Sequence, residues 1–288
     1  MKKQEIQNGD WKYLIILDAC RYDIFKAIYN DYLNGKLERR ESRGSSTGEW
    51  LHRTFREKMR DVTYISANPY INSKGISLDK VSRKCNVFWN PQEHFKKIID
   101  VWDFGWDEEK RTVPPHKVNK AVEENLESLE RTIIHYMQPH GPPLSLEVGS
   151  GKRTRSGTKG IQVNIPPYRW ELLNEITKSV PRKIAKLIPR EPYWKIKELL
   201  SIKPKGLFEC GVRLKGDKFY YYKDNLRRVL TEASKLIDKL NGKIVITADH
   251  GEAFGEQGEW QHPYGSRNPV LLEVPWLEIN SKKAEKVP

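Results

Sequence analysis

Ile244–His262 reads IVITADHGEAFGEQGEWQH. Its first four residues are all β-branched, which suits a buried strand, and the run stops abruptly at Ala248, Asp249, His250 and Gly251. A carboxylate and an imidazole side by side at a strand terminus stand where open α/β sheets hold their ligands. His262 follows after a Gly- and Glu-rich loop, so this one segment can bring an Asp and two His to a common point, as a metal or phosphoryl site requires.

On the N-terminal side, Tyr220–Leu240 predicts a long amphipathic helix, with Leu226, Val229, Leu230, Ala233, Leu236, Ile237 and Leu240 at helical spacing. Asn241 and Gly242 stop it and lead into the strand. On the C-terminal side a final strand is expected at Val270–Val274, before Pro275 and Trp276.

The other half of the site comes from the beginning of the chain. Lys12–Leu17 (KYLIIL) is an apolar run that ends at Asp18, and an amphipathic stretch follows from Arg21 to Tyr32. Strand, acid, helix is the opening of a parallel α/β unit. Asp18 is either a strand-end functional acid or a helix N-cap. Cys20 reads as a small buried residue, since nothing near it in sequence supplies a base. Arg43–Trp50 (RGSSTGEW) runs a hydroxyl cluster into a helical pattern of Trp50, Leu51 and Phe55. Such hydroxyls cap the helix, with Glu49 in its first turn, or face an anion together with the free N–H groups there.

A second strand is expected at Val62–Ser66 and is closed by Ala67, Asn68 and Pro69, with Asn68 a turn residue or a substrate contact. Lys74–Trp106 is rich in aromatic residues without a period and reads as connecting structure on the sheet edge. A base-stacking surface fits less well, because the aromatics are not interleaved with a basic stripe. Pro114 and Pro115 precede a helix at His116–Leu129, and a third strand follows at Thr132–Tyr136. Past its end, His140 sits in the rigid loop MQPHGPP.

The composition suits one large domain over residues 1–288, with 38% hydrophobic and 31% charged residues and no solenoid repeat. Residues 146–205 read as a basic insertion, Lys- and Arg-rich from Val180 to Lys205 with prolines throughout. The formal charge of +13 favours an anionic substrate or a polyanion such as nucleic acid, against the plainer reading of a solvated basic surface. Three cysteines without CxxC spacing argue against a disulfide framework and a structural zinc knuckle. The apolar run Tyr13–Leu17 is too short for a signal-peptide core and no segment reaches membrane-spanning length, so a cytoplasmic protein is expected.

An Asp after the first strand, a Ser/Thr cluster at a helix start, YMQPHGPP, a late TADHGE and a later His occur in the order found in the alkaline-phosphatase-like superfamily. The chain most resembles its sulfatase-like and lipoteichoic-acid-synthase-like branches, from Trp11 to about Trp276. The resemblance implies a three-layer α/β/α sandwich with a mostly parallel sheet. It implies that Asp18, Asp249 and His250 are metal ligands, joined by a hydroxyl nucleophile that is Thr47 or, as the runner-up, Ser46. His140 and His262 are then contacts to the transferred or leaving group, with His262 alternatively a second-metal ligand.

Chemistry agrees with that assignment. A Ser or Thr hydroxyl is a poor nucleophile at neutral pH unless a base or a cation activates it. Two carboxylates, a neutral imidazole and an alkoxide make a four-ligand shell suited to Zn²⁺, with Mn²⁺ or Ca²⁺ as alternatives. Neither Cys20 nor SSTGEW lies in a CxPSR-like context, which disfavours formylglycine-dependent sulfate-ester hydrolysis. No DxxxH-type segment precedes Ala248 to complete a second metal site, and Asp23 is only a weak substitute for a paired acid after the first strand. The expected function is a metal-dependent hydrolase of phosphate esters working through a covalent Thr or Ser intermediate, with sulfate esters ranked lower. The alternatives are a phospho-group transferase and an inactive, metal-retaining binder of polyanions.

Overall fold

Strand β1 (Tyr13–Leu17) is buried along its whole length and lies at the heart of a seven-stranded sheet. The computed structural model describes residues 1–82, 85–146, 211–212 and 214–281. Apart from Leu146, the insertion expected at 146–205 lies outside these residues. The other strands are β2 (Lys36–Glu41), β3 (Met59–Ser66), β4 (Phe95–Asp100), β5 (Arg131–Tyr136), β6 (Gly242–Thr247) and β9 (Glu273–Ser281), in the order β2-β9-β6-β1-β5-β3-β4. A separate ribbon pairs β7 (Ala253–Phe254) with β8 (Trp260–Gln261). In the main sheet β6, β1, β5, β3 and β4 are parallel neighbours, and β9 runs antiparallel to both β6 and β2.

The continuous apolar runs of β1, β5 and β6 follow from burial on both faces. One face carries Tyr13, Ile15, Leu17, Ile134, Tyr136, Ile244 and Ile246, packed with residues of α1 (Tyr22–Ile28), α3 (Pro115–Glu123) and α4 (Tyr220–Ile237). The other face carries Leu14, Ile16, Ile133 and Val245, packed with Trp50, Leu51 and Phe55 from α2 (Thr47–Thr54) and the residue after it. Each fully buried aliphatic side chain contributes about 1.5–3 kcal/mol. The result is the expected α/β/α sandwich.

Several elements depart from the sequence expectations. β2 (KLERRE) was not anticipated, because an edge strand rich in charge has no apolar run to betray it. β4 forms the opposite edge, within the stretch expected to be connecting structure. The final strand begins at Glu273 and not at Val270: the Asn268 side chain accepts a hydrogen bond from the Val270 N–H and starts a short helical turn at Pro269–Leu272. The helix expected to reach Leu129 ends at Glu123, and a 3₁₀ turn follows at Leu126–Ser128. Among the described residues no helix is long and apolar enough to cross a membrane.

The topology decides where the chemistry lies. β1, β3, β5 and β6 are parallel, so Asp18, Asn68, His140 and Asp249, each just past a strand end, collect at one edge of the sheet.

Candidate active site

Thr47, the first residue of α2, is 6% exposed and directs its hydroxyl at the end of β6. Its Oγ1 donates to Asp249 Oδ2 at 2.7 Å and lies 3.2 Å from His250 Nε2. Asp249 Oδ1 accepts from the backbone N–H groups of Ala19 (3.0 Å) and His250 (2.9 Å). Ala19 adopts φ 59°, a left-handed conformation that a β-carbon disfavours, and this turn aims its N–H at the carboxylate. The hydroxyl of Ser42 bonds the Asp249 carbonyl, so both ends of that residue are tied down.

His250 is fixed by its other nitrogen. Nδ1 lies 2.7 Å from the Gly251 carbonyl, which only accepts, so Nδ1 carries the proton and Nε2 presents a lone pair. That lone pair faces Asp249 Oδ2 at 3.3 Å and Asp18 Oδ1 at 3.9 Å. Burial, then the neighbouring His262, holds the His250 pKa well below its ordinary value, so the ring stays neutral. Gly251 is required here, because a β-carbon would collide with the Val270 carbonyl oxygen.

Asp18 completes the inner group. Its Oδ2 accepts from Asn68 Nδ2 at 2.7 Å, whereas Oδ1 is buried without a hydrogen-bond partner. Burial and the nearby Asp249 carboxylate raise its pKa well above the usual carboxylate range. An orphaned buried acceptor costs about 1–3 kcal/mol, and it is the signature a cation would relieve. Asp18 Oδ1, Asp249 Oδ2, His250 Nε2 and Thr47 Oγ1 therefore form a donor set of the kind that holds Zn²⁺. The residues present fit a divalent metal.

A second group lies over the first. His140, Glu252 and His262 each offer a ligand atom within 4.8 Å of the others. The His262 ring is centred 4.7 Å from that of His250 and 5.1 Å from that of His140. His262 Nδ1 is 2.9 Å from Glu252 Oε2, and His140 Nδ1 donates to the Gly141 carbonyl at 2.6 Å. Burial works to raise the Glu252 pKa, but the adjacent His262 imidazole, with His140 and His250, leaves it below its ordinary value. The loop bearing His140 is held to β1 by a bond from its N–H to the Asp18 carbonyl at 3.1 Å.

Flanking residues explain the motifs around these groups. The Arg21 guanidinium pairs with Asp23 (2.7 Å) and Glu256 (2.9 Å) and donates to the Glu252 carbonyl (3.1 Å), which clamps the loop after Asp249 and His250 to the end of β1. Glu49 accepts from the N–H and hydroxyl of Ser45 and from the Gly265 N–H, which fixes the loop leading into Thr47.

The structure thus brings Asp18, Thr47, Asp249 and His250 to one point, and groups His262 with His140 beside it. Ser46 is the N-cap residue of α2, and its side chain makes no cap bond. Asn68, expected as a substrate contact, is committed inside the protein, because its amide donates to Asp18 and its carbonyl accepts from the Tyr70 N–H at 2.9 Å. Two residues were missed. Glu252 is the acid two places after His250, and its position directly behind DHG was the available signal. His135, inside β5, lies with Nε2 3.8 Å from Asp18 Oδ2 and Nδ1 2.9 Å from the Tyr64 hydroxyl.

Two carboxylates, an imidazole and a hydroxyl at the C-terminal edge of a mostly parallel sheet define a candidate metal-activated nucleophile. Several solved structures are similar to the chain in fold. They include a protein of the alkaline phosphatase superfamily from Vibrio parahaemolyticus (9% identity, TM-score 0.47, covering 95% of this chain and 61% of that one). A second is the C-terminal periplasmic domain of phosphoethanolamine transferase EptC from Campylobacter jejuni (15%, TM-score 0.46, covering 97% and 83%). A third is the integral membrane lipooligosaccharide phosphoethanolamine transferase A from Neisseria meningitidis (14%, TM-score 0.45), of which the chain covers half the length and by which 97% of this chain is covered. No protein-family model and no curated protein matches the chain.

Proposed function

We propose that this protein is a metal-dependent phospho-group transfer enzyme in which Thr47 attacks phosphorus and carries the group covalently. The supporting observation is the Thr47 hydroxyl, bonded at 2.7 Å to Asp249 and facing the unprotonated nitrogen of His250. Asp18, Thr47, Asp249 and His250 would hold the metal, with Zn²⁺ the first candidate. When bound, the cation lowers the pKa of the threonine hydroxyl and neutralises charge on the phosphoryl oxygens.

The remaining steps belong to the chain itself. The hydrogen bond from Thr47 to Asp249 Oδ2 orients the hydroxyl for attack, and its proton would leave to solvent as the Oγ1–P bond forms. The P–O bond to the leaving alcohol breaks in the same step. His262, oriented by Glu252, would deliver a proton to the departing oxygen, and His140 would contact the phosphoryl group. The acceptor then reverses the sequence and frees Thr47.

Transfer to an organic hydroxyl or amine is the preferred form, in keeping with the transferases among the resembled structures. Hydrolysis shares the first half of the reaction and differs only in using water as acceptor. Sulfate esters rank lower, because the chain lacks a formylglycine context.

The test is incubation of the purified protein with aryl phosphate, phosphodiester and aryl sulfate substrates, with chelator or added Zn²⁺ or Mn²⁺, followed by peptide mass analysis. The expected result is metal-dependent turnover of phosphate substrates and a phospho-adduct on the Thr47 peptide. Undiminished metal-dependent turnover by Thr47→Ala would overturn the assignment.

A further inference from the structure

A concavity of about 590 Å³ lies between the segment that leads into α2 and the loop that follows His262. Lys3, Arg43, Arg53, Arg56 and Arg267 line it, against the two acids Glu41 and Glu49. Arg53 is paired with the buried Glu49 at 2.6 Å. Among the described residues, Lys3, Arg43, Arg56 and Arg267 enter no ion pair, whereas Arg21, Arg39, Arg40 and Arg131 each have a carboxylate within 3.1 Å. Glu49, the most enclosed of the lining acids, is already engaged by Arg53, Ser45 and Gly265.

Like charges that share a concavity repel one another and focus a positive potential inside it. Guanidinium groups match phosphate oxygens in planar, two-pronged fashion, and such charge-assisted bonds are the strong ones. We propose that this cavity is a binding site for a phosphate-bearing anion of more than one negative charge, distinct from the group processed at Thr47. The cavity shares its walls with the candidate active site: Ser42 lines it and bonds the Asp249 carbonyl, and Glu49 lines it and holds the loop before Thr47. The ligand is a free polyphosphorylated compound or a phosphate headgroup at a lipid surface, since both present the same oxygens to the arginines. The proposal goes beyond the chemistry at Thr47 and does not depend on it.

The experiment uses the full chain, treated with chelator and carrying Thr47→Ala, so that the candidate active site contributes little anion binding. Pyrophosphate titrated by calorimetry, and vesicles of phosphatidylcholine with and without phosphatidate in a sedimentation assay, are the two arms. Arg56→Gln/Arg267→Gln removes two exposed cavity cations, and Lys58→Gln/Lys96→Gln removes the same charge elsewhere. Saturable binding in either arm that weakens about tenfold or more in the arginine double variant, and less than about twofold in the lysine control, supports the site. Tight pyrophosphate binding without vesicle capture marks a free compound as the ligand, and cavity-dependent capture of phosphatidate vesicles marks a headgroup. Equal weakening in both double variants would reduce the cavity to a share of the general surface charge, and this outcome, or no saturable binding in either arm, overturns the proposal.

Discussion

The inner group of Asp18, Thr47, Asp249 and His250 and the outer group of His140, Glu252 and His262 are in contact, yet they are built differently. The inner residues are all at most 6% exposed and stand at the ends of β1 and β6 and the start of α2, elements fixed by the core. Ala19, Ser42, Gly251 and Asn68 lock their remaining polar atoms, except for the unpartnered Asp18 Oδ1. The outer residues sit on loops, and the His262 side chain is 28% exposed. A rigid, dry shell suits an ion, which needs fixed geometry, whereas a partly wet pair of imidazole and carboxylate suits proton exchange with substrate and solvent.

The largest effect should come from Asp249→Asn. It removes the negative charge that faces Thr47 and His250, so metal content should fall to background and phospho-transfer by on the order of 10³-fold. Metal analysis beside turnover checks this. Retention of a full metal complement would mean that the inner group is not the ion's shell, and the contrast between the two groups would collapse.

How far the contrast was legible from sequence depends on what surrounds each residue. Asp18, Asp249 and His250 each interrupt an apolar run at its end, which is visible because β1 and β6 are buried on both faces and contain almost nothing polar. Thr47 was legible as the favoured hydroxyl of its cluster with Ser46 as runner-up, and its hydrogen bond to Asp249 supports Thr47. β2 escaped detection because five of its six residues are charged and it lies at a sheet edge, so no apolar run marks it. Glu252 lies in a Gly/Glu-rich loop where acids are ordinarily solvated, and His135 lies within a strand where a single polar residue changes no period.

His135 belongs to the dry side of the comparison and gives it a pH test. Burial pushes its pKa down from 6.5 to about 4. The folded state thus binds its proton less readily than the unfolded chain, so the stability gained from the neutral ring is fully present above pH 6.5 and is lost as pH falls toward 4. One pKa unit is worth 1.36 kcal/mol, so the loss from this ring is about 3 kcal/mol. Urea unfolding of chelator-treated protein between pH 7 and 4 should show His135→Gln with a shallower dependence than the parent by about that amount. An unchanged slope would mean that water reaches the ring, and the inner region would no longer count as dry.

Glu252→Gln sharpens the comparison from the wet side, with the smallest effect. The substitution keeps the shape but removes the charge that His262 Nδ1 bonds at 2.9 Å, so the imidazole loses the carboxylate that orients it. Turnover should fall by about 10–100-fold, the cost usual for an orienting partner. Glu252 is not among the four residues that would hold the metal, so metal content at neutral pH should stay at the parental level. If Glu252→Gln instead empties the metal site as Asp249→Asn does, the two groups share a single ion shell. The distinction would then lie between two faces of one centre, and proton delivery to the leaving oxygen would need another donor, with His140, its ring centred 5.1 Å from that of His262, the imidazole outside the inner group to take that part.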